Sequence, residues 1–171
     1  MRVRHQIRLR QVVRQAEGYL ELGMPQHALE TLARLGDPAN FSAGAFYLQG
    51  EALKSMERYG EALVPLARAA ELAPDDVHVR LATAWCYKRT DRIDLAIAAM
   101  EEAVSVEPGE AILHYNLACY LSLAGDKQPA LTHLAEALAI DADYRDLVGD
   151  EPDFDPIRSD PEFLALTSII V

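Results

Sequence analysis

The sequence predicts an all-α chain made by repeating one pair of helices, and three observations carry that prediction. A register recurs every 34 residues, apolar positions fall at helical spacing around it, and the turn segments between them contain no strand pattern. The register is set by Ala28, Ala62, Ala96 and Ala130, spaced by 34, and twelve residues before each stands Ala16, Gly50, Ala84 or Ala118. Small residues recur where two backbones must come close.

Within each unit the first helix is marked by Tyr19, Leu53, Tyr87 or Leu121, three residues beyond the small position and on the same helical stripe. The second helix is marked by Leu32, Leu66, Met100 or Leu134, four residues after the alanine anchor, and by Leu35, Ala69, Ala103 or Ala137, seven after it. Gly23-Met24-Pro25, Glu57-Arg58-Tyr59-Gly60, Thr90-Asp91-Arg92 and Gly125-Asp126-Lys127 supply the turns inside the units. Ala73-Pro74-Asp75-Asp76 and Glu107-Pro108-Gly109-Glu110 separate units, because proline cannot continue a helical ladder and pushes the residue before it out of helical geometry. Pro65 sits inside a second helix, where the loss of one backbone bond predicts a local kink without a break.

After about residue 143 the period ends. Asp155-Pro156 and Asp160-Pro161 each place a capping side chain before a proline suited to the first helical position, predicting a short turn and then a helix from Glu162 to about Ser168. Leu147, Phe154, Ile157, Phe163, Leu164 and Leu166 are expected to cover the open end of the stack, which would otherwise expose an apolar face.

With small residues at unit positions 8, 20 and 27 and proline at 32, the unit resembles the tetratricopeptide repeat. The resemblance implies a right-handed α-solenoid of four helix-turn-helix repeats plus a C-terminal capping helix. The repeats fall at about 9–42, 43–76, 77–110 and 111–144, with a cap at 145–171, all in one domain over 1–171. The outer repeats depart from the pattern, with Asn40 and Ala142 at the proline position, as capping repeats do. Position 4, where the family usually carries tryptophan, holds Val12, Phe46, Arg80 or His114.

Composition limits the function classes. The chain has 171 residues, half of them apolar and a quarter charged, enough for a core without metal or disulfide support. Sixteen basic against 27 acidic residues give a net charge of −11, which opposes nucleic-acid and anionic-membrane binding. Cys86 and Cys119 form neither a CxxC nor a zinc spacing and read as buried thiols. The Arg-rich start lacks the apolar stretch of a secretory signal, no run reaches membrane-span length, and a cytoplasmic location is expected.

No enzyme, cofactor or metal is expected. A calcium loop begun at Asp153 would put Ile157 at a ligand position and Arg158 at the turn glycine, so Asp150, Glu151, Asp153 and Asp155 read as caps and solvated charge. The five histidines are scattered, and His114 and Cys119 lie about 140° apart on a helix, wrong for a nucleophile and its base. Phosphate-cradle and serine-elbow motifs do not occur.

What remains is surface. In the resembled family the first helices line a concave groove, and here its positions place Arg14, Tyr47, Glu51, Lys54, His78, Leu81, Trp85, Lys88, Arg89, Tyr115, Asn116 and Cys119 there. Tyr47, Trp85 and Tyr115 would form an aromatic row beside basic groups, suiting a peptide or helix with apolar anchors and some acid. The family's clamp for acidic heat-shock C-termini is not matched: of its positions only Asn116 keeps the side chain, and Gly44, Leu48, Leu81, Ala82 and Ile112 replace polar groups. The expected function is a protein-protein adaptor or scaffold. The alternatives are a secretion-type chaperone for a client protein, or a structural self-assembler. Self-assembly would use Ile169, Ile170 and Val171, or the contrast between Arg2, Arg4, Arg8, Arg10 and Arg14 and the nine acids of 141–162.

Overall fold

The computed structural model describes residues 2–168, with side chains from Gln6 onward. Ile169, Ile170, Val171 and the side chains of Arg2 and Arg4 lie outside the described residues. All regular structure among the described residues is helical. The chain gathers into two compact units that divide at the turn between Thr90 and Asp91.

The first unit holds α1 (Arg2–Glu21), α2 (Pro25–Ala33), α3 (Ala43–Ser55), α4 (Tyr59–Leu72) and α5 (Val77–Arg89). Ser42 Oγ accepts from the Ala45 backbone N–H at the start of α3, and Asp76 Oδ1 accepts from that of His78 at the start of α5. The alanine anchors Ala28 and Ala62 are fully buried with Leu32 and Leu66. Gly50 makes room for Leu66: a Cβ there would lie 2.6 Å from Leu66 Cγ, so the leucine side chain of α4 would have to shift.

The second unit holds α6 (Ile93–Val106), α7 (Ala111–Ala124), α8 (Lys127–Ile140), α9 (Tyr144–Val148), a 3-10 turn over Pro152–Ile157, and α10 (Pro161–Thr167). The turn packs on α7, and Phe154, Ile157 and Phe163 are buried as expected. Leu147 and Leu164 are 54% and 50% exposed, so the cap is made by the three buried groups and Val148 instead. The turn also starts earlier than expected. Glu151 caps it by accepting from the Asp153 N–H, while Asp155 lies inside and pairs with Arg158 at 2.9 Å. Arg158 ties the segment down by donating to the carbonyls of Gly149 and Glu151.

The 34-residue period is written into the backbone. Gly23, Glu57, Asp91 and Gly125 stand 34 apart and all take the left-handed conformation, with φ of 68°, 59°, 58° and 84°. Two of these turns therefore hold a side chain where glycine is favoured. Glu57→Gly is expected to raise stability by about 0.5–1 kcal/mol, the left-handed strain relieved less the extra freedom of an unfolded glycine. A rise in the urea midpoint would show it.

A second periodic device replaces the family's tryptophan at position 4. Arg80 donates to the carbonyl of Pro74 at 2.6 Å, and His114, also 34 residues on, bonds the carbonyl of Pro108 at 2.9 Å. Each satisfies the carbonyl of the proline that ends the preceding repeat.

Two elements differ from expectation. α1 begins at Arg2, seven residues before the first repeat position. α2 stops at Ala33 and has nine residues, whereas α4, α6 and α8 have fourteen. Gly36 turns left-handed and Asp37 caps a 3-10 turn led by Pro38, so Leu35 is buried outside the helix. Pro65 does not interrupt α4, which runs from Tyr59 through it to Leu72.

His114, buried, and His133, half-buried, make a pair, Nδ1 to Nδ1 at 3.0 Å. The Pro108 carbonyl can only accept, so His114 donates from Nε2, its Nδ1 accepts, and His133 donates from Nδ1. Burial, then the charge of His114, lowers the His133 pKa, while Glu101 and Glu136 oppose the shift. With the folded pKa below the unfolded value of about 6.5, stability is full above that pH and is lost as pH falls through it toward the folded pKa. His133→Gln is expected to flatten the decline in melting temperature between about pH 7 and 5. An unchanged decline would contradict this assignment.

Candidate functional site

In the first unit α1, α3 and α5, the first helices of successive pairs, pack side by side. The residues expected to line a groove there are Arg14 on α1, Tyr47, Glu51 and Lys54 on α3, and His78, Leu81, Trp85, Lys88 and Arg89 on α5. Arg14, His78, Trp85 and Arg89 are exposed, and Tyr47, Glu51, Lys54, Leu81 and Lys88 are half-buried.

Trp85 is 39% exposed although both its chain neighbours, Ala84 and Cys86, are fully buried. Helical geometry makes this possible by turning successive residues about 100° apart. The Lys88 ammonium lies 5.1 Å from the centre of the indole, a cation–π arrangement that holds the ring's orientation. Arg89 stacks over Tyr59 at 5.0 Å, which directs its guanidinium toward α4.

Beside them Lys54 and Glu51 pair at 2.7 Å, so the positive charge expected from Lys54 is matched within α3. Burial, then the charges of Glu51 and Asp76, push the Tyr47 phenol up to about 12, and burial pushes the Cys86 thiol up to about 11. Both stay protonated at neutral pH. The phenol is a hydrogen-bond donor in this face, and the thiol is inert.

The three residues expected from the fourth repeat behave differently. Tyr115 and Cys119 are 6% and 2% exposed and do not line an open surface. The cap covers them: the Tyr115 ring meets Phe154 edge-on at 5.6 Å and Tyr144 at 5.0 Å. An apolar α7 needed a cover, and the C-terminal turn supplies it. Asn116 is half-buried and donates to the Ile112 carbonyl at 2.9 Å, while Ile112 itself stays 39% exposed.

The first unit also holds a cleft. Where α2 ends early, a cleft of about 440 Å³ opens, lined by Leu29, Phe41, Leu53, Val64 and Pro65 among others. The signal was Gly36-Asp37-Pro38, which stops the helix before the repeat period requires it.

Helix pairs with a 34-residue pitch, closed by a cap, define a helical-repeat protein. More particularly, residues 78–110 match the family model described as tetratricopeptide repeat. No curated protein is matched by the sequence. Among solved structures, the fold is similar to MamA 41-end from Desulfovibrio magneticus RS-1, with TM-score 0.74, 18% identity, and coverage of 93% of this chain and 89% of that one. A further MamA crystal structure aligns with TM-score 0.72 at 21% identity over 81% of each chain. YrrB, described as a TPR protein with an unusual peptide-binding site, aligns with TM-score 0.70 at 24% identity, covering 79% of this chain and 70% of that one. At these identities the likeness is one of fold. No helix among the described residues is long and apolar enough to cross a membrane.

Proposed function

We propose that the chain is a non-enzymatic adaptor that binds an extended or helical segment of a partner protein on the face made by α1, α3 and α5. The observation that carries this reading is Trp85. It is the chain's one tryptophan, it sits mid-helix at 39% exposure, and Lys88 braces it from one side. A large rigid aromatic left open to water costs solvation that binding would recover, and tryptophan and arginine are the groups that most often dominate interfaces. Arg14, His78 and Arg89 are exposed on the same face, which favours an apolar anchor flanked by acid in the partner. The fold shared with YrrB, a protein described as peptide-binding, supports a peptide as the ligand class.

Capture from a cell lysate by the native chain, beside a Trp85→Ala/Lys88→Glu variant shown to be folded by circular dichroism, tests the reading. Loss of a stoichiometric protein with the variant is expected. Retention of every captured protein by both chains would contradict it.

A further inference from the structure

Beneath the cap of the second unit the chain brings together donors that lie far apart in sequence. Cys119 comes from α7, while Glu151 and Asp153 flank the start of the 3-10 turn, and one donor atom from each lies within 4.8 Å of the others. Cys119 and Asp153 are buried and Glu151 is half-buried. The acidic string fails as a calcium loop because its spacing offers no third oxygen at Ile157. The fold supplies that third donor from another helix, and it is sulfur.

A second observation points to the same place. Tyr115, one helical turn before Cys119, is 6% exposed, yet its phenol oxygen makes no hydrogen bond within the protein. A buried hydroxyl left without a partner costs about 1–3 kcal/mol. Tyr115 and Cys119 stand four residues apart on one face of α7, and the Tyr115 ring packs on Phe154, the residue after Asp153. An acceptor-rich cluster beside an unsatisfied buried hydroxyl is suited to a positively charged guest.

We propose that Cys119, Glu151 and Asp153 form a zinc site, with the Tyr115 phenol beside its fourth position. One thiolate and two carboxylates are a donor set that zinc accepts, whereas calcium and magnesium take oxygen alone and copper(I) favours sulfur. Zinc bonds of about 2.0–2.3 Å require donors about 3.5 Å apart in a tetrahedron, a contraction of at most about 1.3 Å from separations that all lie within 4.8 Å. Binding displaces the thiol proton of Cys119 to solvent, so affinity rises with pH. The ion also fastens the turn at Pro152–Ile157 to α7.

The test is titration of reduced, chelator-treated full-length protein with Zn²⁺ by calorimetry and with Co²⁺ by absorbance. One equivalent is expected, with a thiolate-to-cobalt charge-transfer band that persists in Cys86→Ser and disappears in Cys119→Ser. Because Cys119 is buried, Glu151→Gln provides a variant at a more accessible position and is expected to weaken Zn²⁺ binding at least about tenfold with an unchanged circular dichroism spectrum. Absence of stoichiometric binding overturns the site, as does undiminished affinity in Glu151→Gln. Cobalt spectra without the thiolate band, as ligation by His114 and His133 would give, overturn it equally.

Discussion

Phe154→Ala is expected to lower stability by about 3–5 kcal/mol, the largest effect of any single substitution considered for this chain. Phe154 is fully buried although it belongs to a six-residue 3-10 turn, an element with little stability of its own. Its ring meets Tyr115 edge-on at 5.6 Å and Phe163 at 5.6 Å, joining the turn to α7 on one side and to α10 on the other. Removing it leaves a cavity between three elements and also forfeits two aromatic pairs, each worth about 0.5–1.5 kcal/mol beyond burial. Phe154→Leu, which keeps most of the volume, is expected to cost much less. Urea unfolding followed by far-ultraviolet circular dichroism checks both. A loss below about 1 kcal/mol for Phe154→Ala would mean the cap contributes little and α7 tolerates exposure.

Trp85→Ala is expected to weaken partner binding by about 2 kcal/mol or more, roughly thirtyfold, while changing stability by less than about 1 kcal/mol. The separation of the two effects follows from where the side chain sits. Its backbone is fixed by buried neighbours, so α5 survives truncation, but its indole stands out from the surface. Lys88→Ala removes the cation–π contact alone and is expected to cost about 0.5–1 kcal/mol of affinity. Binding titrations of the two variants with the captured partner would separate the anchor from its brace. Equal losses in stability and affinity for Trp85→Ala would make the residue a core group and not an interface.

The repeat architecture was legible because backbone contact leaves a trace in side-chain size. Alanine or glycine at 16, 50, 84 and 118 and alanine at 28, 62, 96 and 130 are buried where those residues pack. The early end of α2 was also written in Gly36-Asp37-Pro38, but the 34-residue register masked it by assigning Leu35 to the helix. Of the residues expected at the site, those on α1, α3 and α5 are exposed or half-buried, and two of the three on α7 are not. Tyr115 and Cys119 occupy groove positions by number, yet their exposure depends on where a tail some 35 residues later folds back, a tertiary contact that no local pattern encodes. For the same reason the meeting of Cys119 with Glu151 and Asp153 was invisible to spacing arguments.

The central claim, that a partner lies against the face bearing Trp85, can be tested with the indole itself, since the chain has no other tryptophan. Steady-state emission and iodide quenching would be followed while a captured, tryptophan-free partner segment is added. A saturable shift in emission is expected, with quenching falling as binding proceeds because the exposed edge of the ring becomes covered. Emission and quenching that stay constant while binding saturates by calorimetry would place the partner elsewhere on the molecule.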